Sequence, residues 1–384
     1  MHDDDLSEQQ RQLRDSLARV MGDFATPDTL RRLDREAAYP EEAYRAWVGL
    51  GLLGLGIPEQ YGGVGGGMAD LALVSEDLAY WSYDVSTAYT VPLFSALTVL
   101  RCGREEQKAE LLPALAAGRL RLSVCISEPD AGSDVSAIRT RAARDGHGWV
   151  LSGQKLWATA AGAPDNVMLV YARSDPDAPP RQGMSVFLVA NDLPGVQCRK
   201  LDMLGRRATG SYEVFLDEVR LPADRVLGEP GQGWRYLLSG LQAERALTSA
   251  GYVGAAQKVV DLAAAYAGER RQFGKPIAAH QAVAHMLADM QTEVDAARLL
   301  ARRAAARLDR GLDSLREVAM AKLYGSETYV RVANQGMQIM GAHGYSMEHE
   351  MQRHYRDARS TTIGAGTSQM QRGIIASTMG LAAR

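Results

Sequence analysis

The apolar residues of this 384-residue chain change their spacing twice, and that change limits the folds open to it. Up to about residue 120 they recur every three or four positions, the period of helices with one face on a core. Ser7 stands where an N-cap would open a helix running to about Phe24, with Leu13, Leu17 and Val20 on one stripe. From about 121 to 230 the runs shorten: "NVMLVYA", "MSVFLVA" and "SYEVFLDEVRLP" read as strands of a small antiparallel barrel or sandwich, punctuated by Gly, Pro, Asp and Asn. From Gly233 the helical spacing returns. Val283, Met286, Leu287, Met290, Val294, Ala297 and Ala301 mark one long helix, and Ser314 to Met340 reads as another, so this part is expected to be a four-helix bundle. Helix, sheet and helix in separate blocks predict an α+β protein with domains at 1–120, 121–230 and 231–384.

Composition excludes several function classes. A net charge of −3 argues against a general nucleic-acid or membrane-surface binder. The basic stretch "ARRAAAR" (Ala301 to Arg307) lies on one helix and is balanced by acids elsewhere. Three cysteines, Cys102, Cys125 and Cys198, have no metal-ligand spacing, and their odd number speaks against a disulfide framework; no metal site is expected and a reducing, cytoplasmic setting fits. No apolar run approaches the ~20 residues that cross a bilayer, and the acidic start "MHDDDLSEQQ" is not a signal sequence.

Four stretches combine small residues with polar or aromatic groups. "CISEPDAGSD" (Cys125 to Asp134) is either an ordinary polar turn or a loop whose hydroxyls and free N–H groups meet a phosphate or a polar ring edge. In "GQKLWATAA" (Gly153 to Ala161), Trp157 and Thr159 share a strand face, either as core residues or flanking a planar cofactor. "YAGERRQFGKPIAAHQAV" (Tyr266 to Val283) holds Arg270 and Arg271, a solvated face or a pyrophosphate clamp. "STTIGAGTSQMQR" (Ser360 to Arg372) is backbone small enough for close approach, yet the turn itself holds no acid, base or nucleophile.

Taken in order, "CISEPDAGSD", "GQKLW", "LDMLGRRATGSYEVFLDEVRLP", "ERRQFGKPIAAHQAV", "LADM", "QIMGAHGY", "YRDAR" and "GTSQMQR" closely resemble the acyl-CoA dehydrogenases, from about Pro40 to the C-terminus. The resemblance implies non-covalently bound FAD and a homotetramer built as a dimer of dimers. It implies flavin contacts from Val124, Ile126, Ser127, Ser133, Trp157 and Thr159, with Thr159 near N5. Arg270, Phe273 and Gln281, then Gln338, Gly341 and Ala342, and Thr367 with Gln369, are expected to reach FAD bound mainly by a neighbouring subunit. Ala342 replaces a glycine common in relatives. On the substrate side the resemblance implies Ser133, Leu241, Gln242, Arg245 and Gly366. It implies an acyl-CoA substrate, or one on an acyl carrier protein, and an electron-transfer flavoprotein as acceptor; the Ala- and Arg-rich usage points to a bacterial source.

Dehydrogenation of an acyl thioester needs a base for the α-proton. Many relatives carry a glutamate immediately before "GTS"; the corresponding position here is Ala365. Leu237, Leu241, Glu244, Thr248, Gly251 and Ala255 lie three or four apart, so Glu244 interrupts an apolar stripe while Arg245 points about 100° away. Isovaleryl- and long-chain-type members carry their base in an equivalent "ER" pair, with a small residue before "GTS". The resemblance therefore assigns the base to Glu244 and leaves Ala365 a backbone N–H for the thioester oxygen. Burial against apolar groups is expected to raise the Glu244 pKa.

Overall fold

The computed structural model describes residues 6–381. It opens with six helices: α1 (Glu8–Phe24), α2 (Pro27–Glu36), α3 (Glu41–Gly49), α4 (Met68–Trp81), α5 (Tyr83–Cys102) and α6 (Glu105–Ala116). Ser7 caps α1, its side chain accepting from Gln10 N while the Gln10 side chain accepts from Ser7 N. The buried stripe of α1 is Leu17, Met21 and Phe24. Contrary to the reading of the sequence, α5 is long and apolar enough to cross a membrane. Every residue from Tyr83 to Val99 is buried within the protein, so its apolarity is that of a core helix.

Seven strands follow: β1 (Arg121–Cys125), β2 (Arg141–Asp145), β3 (Gly148–Thr159), β4 (Asn166–Arg173), β5 (Met184–Ala190), β6 (Val196–Lys200) and β7 (Ser211–Pro222). They form one sheet in the order β1-β4-β2-β3-β7-β6, with β5 against β4. The ladder is mostly antiparallel. β1 and β4, however, run parallel from Arg121 opposite Asn166 to Cys125 opposite Val170, and β2 meets β4 in parallel at Arg141 and Arg173, a correction to the all-antiparallel expectation. Parallel neighbours must be joined by a crossover, and β2 and β3 supply it, so spacing alone did not reveal the pairing. The middle part is thus a single curled sheet around its own apolar core, which includes Trp149, Phe187 and Val214.

The last part holds α7 (Gly233–Glu269), a two-residue hairpin of β8 (Arg271–Gln272) and β9 (Lys275–Pro276), then α8 (Gln281–Asp309), α9 (Leu315–Met340), α10 (Ala342–Tyr345), α11 (Met351–Thr361) and α12 (Ser368–Thr378). At 37 residues, α7 spans about 55 Å. Its residues enter three cores: Ala243, Ala246 and Leu247 pack with α1–α5, Val259 and Ala263 with α8 and α9, and Tyr236 and Leu237 with the sheet side. At Gly254 it touches α4 so closely that a Cβ would sit 1.9 Å from the Glu76 carbonyl oxygen. This shared helix carries Glu244 into the junction of all three parts.

Candidate active site

Along the α7 stripe, Leu237, Gly251 and Ala255 are buried while Leu241, Glu244 and Thr248 between them keep partial exposure. The stripe is therefore open at Leu241, Glu244 and Thr248. Burial pushes the Glu244 carboxyl above its ordinary range, against the pull of Arg245, Lys322 and Arg206. Thr248 Oγ1 donates to the Glu244 carbonyl at 2.8 Å, keeping its hydroxyl on the helix backbone.

Opposite lies the turn between α11 and α12. Ala365 takes φ +54° and Gly366 φ +86°, two successive left-handed residues. Such backbone persists in a non-glycine residue only when its surroundings hold it. Here three side chains do so. Arg245 Nε donates to the Ala365 carbonyl at 3.0 Å, Lys322 Nζ to the Gly366 carbonyl at 2.7 Å, and Gln371 Nε2 reaches both, at 3.3 and 3.1 Å. With both carbonyls engaged, the Ala365 N–H has no hydrogen-bond partner among the described residues. Lys322 is fully buried and its pKa is lowered to about 8, first by burial and then by Arg245. Neither Lys322 nor Gln371 was singled out from sequence; their only signal is polar type at buried helical positions. Arg245, expected on the substrate side, gives its Nε to the turn.

The sheet supplies the third wall. Lys155 is fully buried, with Nζ donating to Glu128 Oε1 at 2.7 Å and to the Ile126 carbonyl at 3.0 Å. The Glu128 carboxylate also accepts from the backbone N–H groups of Arg139 (2.6 Å) and Thr140 (2.9 Å). This buried pair, missed in the sequence, closes the Cys125–Asp134 loop, and the Leu156 N–H to the Ser127 carbonyl (2.9 Å) fastens it to β3. Just beyond, the β3–β7 register shifts between Lys155 and Ala158. Trp157 sits in that irregularity at φ +63° and is 55% exposed, so it is no core tryptophan. Thr159 Oγ1 accepts from Arg206 Nη2 at 3.4 Å. Ser127, Val124 and Ile126 are half-buried, and Ser133 is exposed in the loop.

Other expected residues do not come to this cleft. Arg270 lies 26 residues beyond Glu244 on or at the end of α7, about 39 Å away along the helix. There Phe273, 93% exposed, packs edge-on to His280, and Tyr266 OH meets His343 Nδ1 at 3.2 Å beside Ala342. Gln281, Gln338, Gly341 and Ala342 are exposed in the same neighbourhood, with Gly341 at φ +58°, ψ −137°. Thr367 caps α12, its Oγ1 accepting from Met370 N at 3.2 Å, and Gln369 points outward. A separate surface groove between α2, residues 202–207 and α11 is lined by Arg31, Asp34, Arg207 and Arg356; Arg356 Nη2 pairs with Asp34 at 2.6 Å, making it a seam between parts.

An exposed indole, a loop of small residues closed by buried charges and a free N–H at a left-handed turn fit a flat, polar-edged ring system such as FAD. Comparison with known proteins agrees. The chain matches the N-terminal domain model of the acyl-CoA dehydrogenases over residues 7–119, the middle domain over 123–219 and the C-terminal domain over 231–380. It is 40% identical over 349 residues to a glutaryl-CoA dehydrogenase of Desulfococcus multivorans, covering 89% of each chain. Its fold superposes with a TM-score of 0.94 on a glutaryl-coenzyme A dehydrogenase in complex with glutaryl-CoA (36% identity, 98% and 96% covered). It superposes at 0.92 on the prolyl acyl carrier protein oxidase AnaB (30% identity, 98% and 100% covered). The chain belongs to the acyl-CoA dehydrogenase family of FAD-dependent oxidoreductases.

Proposed function

We propose that the protein removes hydrogen from the α and β carbons of an acyl thioester with Glu244 as the base, the arrangement of isovaleryl- and long-chain-type members. One observation carries this reading. The turn offers Ala365 where an acid would stand, while a desolvated carboxylate lies beside Arg245 and Lys322, the two cations bonded to that turn. FAD, when bound, supplies the acceptor for the β-hydride. Glu244 takes the α-proton, its raised pKa narrowing the gap to a weakly acidic C–H. The free Ala365 N–H donates to the thioester oxygen as negative charge builds there. Arg245, Lys322 and Gln371 keep that N–H aimed by fixing the carbonyls around it. Trp157 and the loop closed by Lys155 and Glu128 form the sheet-side wall, with the exposed indole free to pack on the flavin.

The acyl group is carried on CoA or an acyl carrier protein, with an electron-transfer flavoprotein as acceptor. The Arg270 cluster, about 39 Å from Glu244, serves the FAD of another subunit in a homotetramer. The test is anaerobic mixing of the FAD-loaded protein with a panel of acyl thioesters. The flavin band should bleach with wild type and stay for Glu244→Gln; bleaching at the wild-type rate by that variant would remove Glu244 from the role.

A second reading concerns the acyl tail. Arg206 Nε is buried without a partner, its guanidinium reaches Thr159, and its charge acts on Glu244. The nearby acids are used by backbone: Asp84 holds the Ala208 and Thr209 N–H groups, and Asp357 that of Arg206. Arg206 feels the field of Asp84 and Asp357 but forms no ion pair with either among the described residues, so its guanidinium keeps N–H groups for a carboxylate at the tail, as glutaryl-CoA carries. Bleaching by glutaryl- over butyryl-thioester, with the preference lost in Arg206→Leu, tests it.

A further inference from the structure

The open stripe of α7 does not end at Glu244. Toward the helix start it continues through Leu241 to Leu238, which is 50% exposed, and Trp234. Trp234 and Leu241, partly buried, pack against the same apolar core as Val124, Ile126 and Val135, so this face of α7 and the residues in and flanking the Cys125–Asp134 loop share one core. Glu244 and Arg235 are nine residues of helix apart, about 14 Å, the scale of a pantetheine arm.

At that outer end three arginines gather. Arg101 Nη1 donates to the Ser239 carbonyl at 3.2 Å, Arg181 lies over the Trp234 ring at 4.9 Å, and Arg235 lies over the Tyr236 ring at 5.3 Å. The Cys102 thiol lies in the field of Arg101, Arg235 and Lys108 together. Among the described residues none of the three arginines has a carboxylate within ion-pair distance. Two acids of α6 pair elsewhere, Glu105 with Lys108 at 2.8 Å and Glu110 with Arg225 at 2.9 Å, while the exposed Glu229, whose N–H meets the Tyr236 hydroxyl, forms no ion pair with the three arginines among the described residues. On a chain of net charge −3, three exposed and unpaired cations around a half-exposed leucine form a local patch of opposite sign to the whole.

We propose that this patch docks an acidic acyl carrier protein, which lays its phosphopantetheine arm along this face of α7 to Glu244. The inference rests on the dehydrogenation reading above. An acidic helix of the carrier meets Arg101, Arg181 and Arg235, and an apolar residue at its centre meets Leu238. Charges at such a rim set encounter rate and partner choice more than the chemistry. A CoA thioester brings the same arm with two further phosphates, but no protein surface and no apolar residue for Leu238.

The experiment compares butyryl groups on a bacterial acyl carrier protein, on CoA and on pantetheine, using FAD-loaded protein. Binding of the butyryl-carrier protein is read by fluorescence anisotropy, and KM by flavin turnover. In Arg101→Ala/Arg181→Ala/Arg235→Ala, carrier affinity should fall at least about tenfold and lose most of its salt dependence. The CoA and pantetheine KM values should hold, and the triple Arg→Lys variant should restore carrier binding. Unchanged carrier affinity overturns the proposal. So does an equal rise in KM for carrier and CoA, which would assign the arginines to the shared phosphate. Glu244→Gln separates the two readings: it should bind the carrier as wild type does while losing bleaching.

Discussion

Arg245 Nε and the Ala365 carbonyl oxygen meet at 3.0 Å, joining the residue after the proposed base to the turn that lacks one, 120 positions away. This side chain ties the helix of the base to the turn, which Lys322 and Gln371 also hold. Replacing Arg245 by Gln should loosen Ala365 from its left-handed conformation and misaim its N–H. The expected loss in kcat is about 10²–10³, the range for removing an oxyanion donor, with a smaller change in KM. Lys322→Met should act in the same direction through Gly366. Steady-state kinetics on protein that keeps its visible flavin spectrum checks both.

Glu244 makes a prediction about stability as well as rate. Its folded pKa is raised by burial, so the folded chain keeps this proton through a pH range in which the unfolded chain has lost it. Whatever Glu244 adds to stability is then fully present only below the unfolded value of about 4.3 and is lost as pH rises through the folded value. Glu244→Gln removes that loss. Its Tm should exceed wild type at pH 8 and converge with it at pH 4; a variant less stable than wild type at pH 8 contradicts the burial argument.

The Lys155–Glu128 pair is sealed from water, so removing one partner strands the other. Lys155→Met should cost about 3–5 kcal/mol and weaken retention of FAD, since the Cys125–Asp134 loop closes on that carboxylate. Lys155→Met with Glu128→Gln should recover part of the stability, because the amide oxygen still accepts from Arg139 and Thr140. Chemical denaturation of the three variants measures this.

Moving the carboxylate to the turn tests whether the two positions serve one cleft. Glu244→Gly with Ala365→Glu should regain part of the activity lost by Glu244→Gly alone, since Ala365 already occupies its left-handed conformation. The readout is flavin bleaching by the acyl thioester that wild type prefers. No recovery, with FAD retained, would mean that a side chain at 365 does not reach the substrate.

The change of apolar period set the order of helical, sheet and helical parts, because periodicity is a local property of the chain. Local spacing also placed Glu244 on an otherwise apolar stripe and left the turn before Gly366 without an acid, two facts visible in the sequence. Tertiary structure decided the rest. It runs β1 and β4 in parallel, brings Lys322 and Gln371 to the turn carbonyls, buries Lys155 on Glu128, and sets Arg270 more than two thirds of the length of α7 away from the base. None of these follows from neighbours in sequence. A polar residue's type says that it needs a partner when buried, while only the packing of distant segments decides which one it meets.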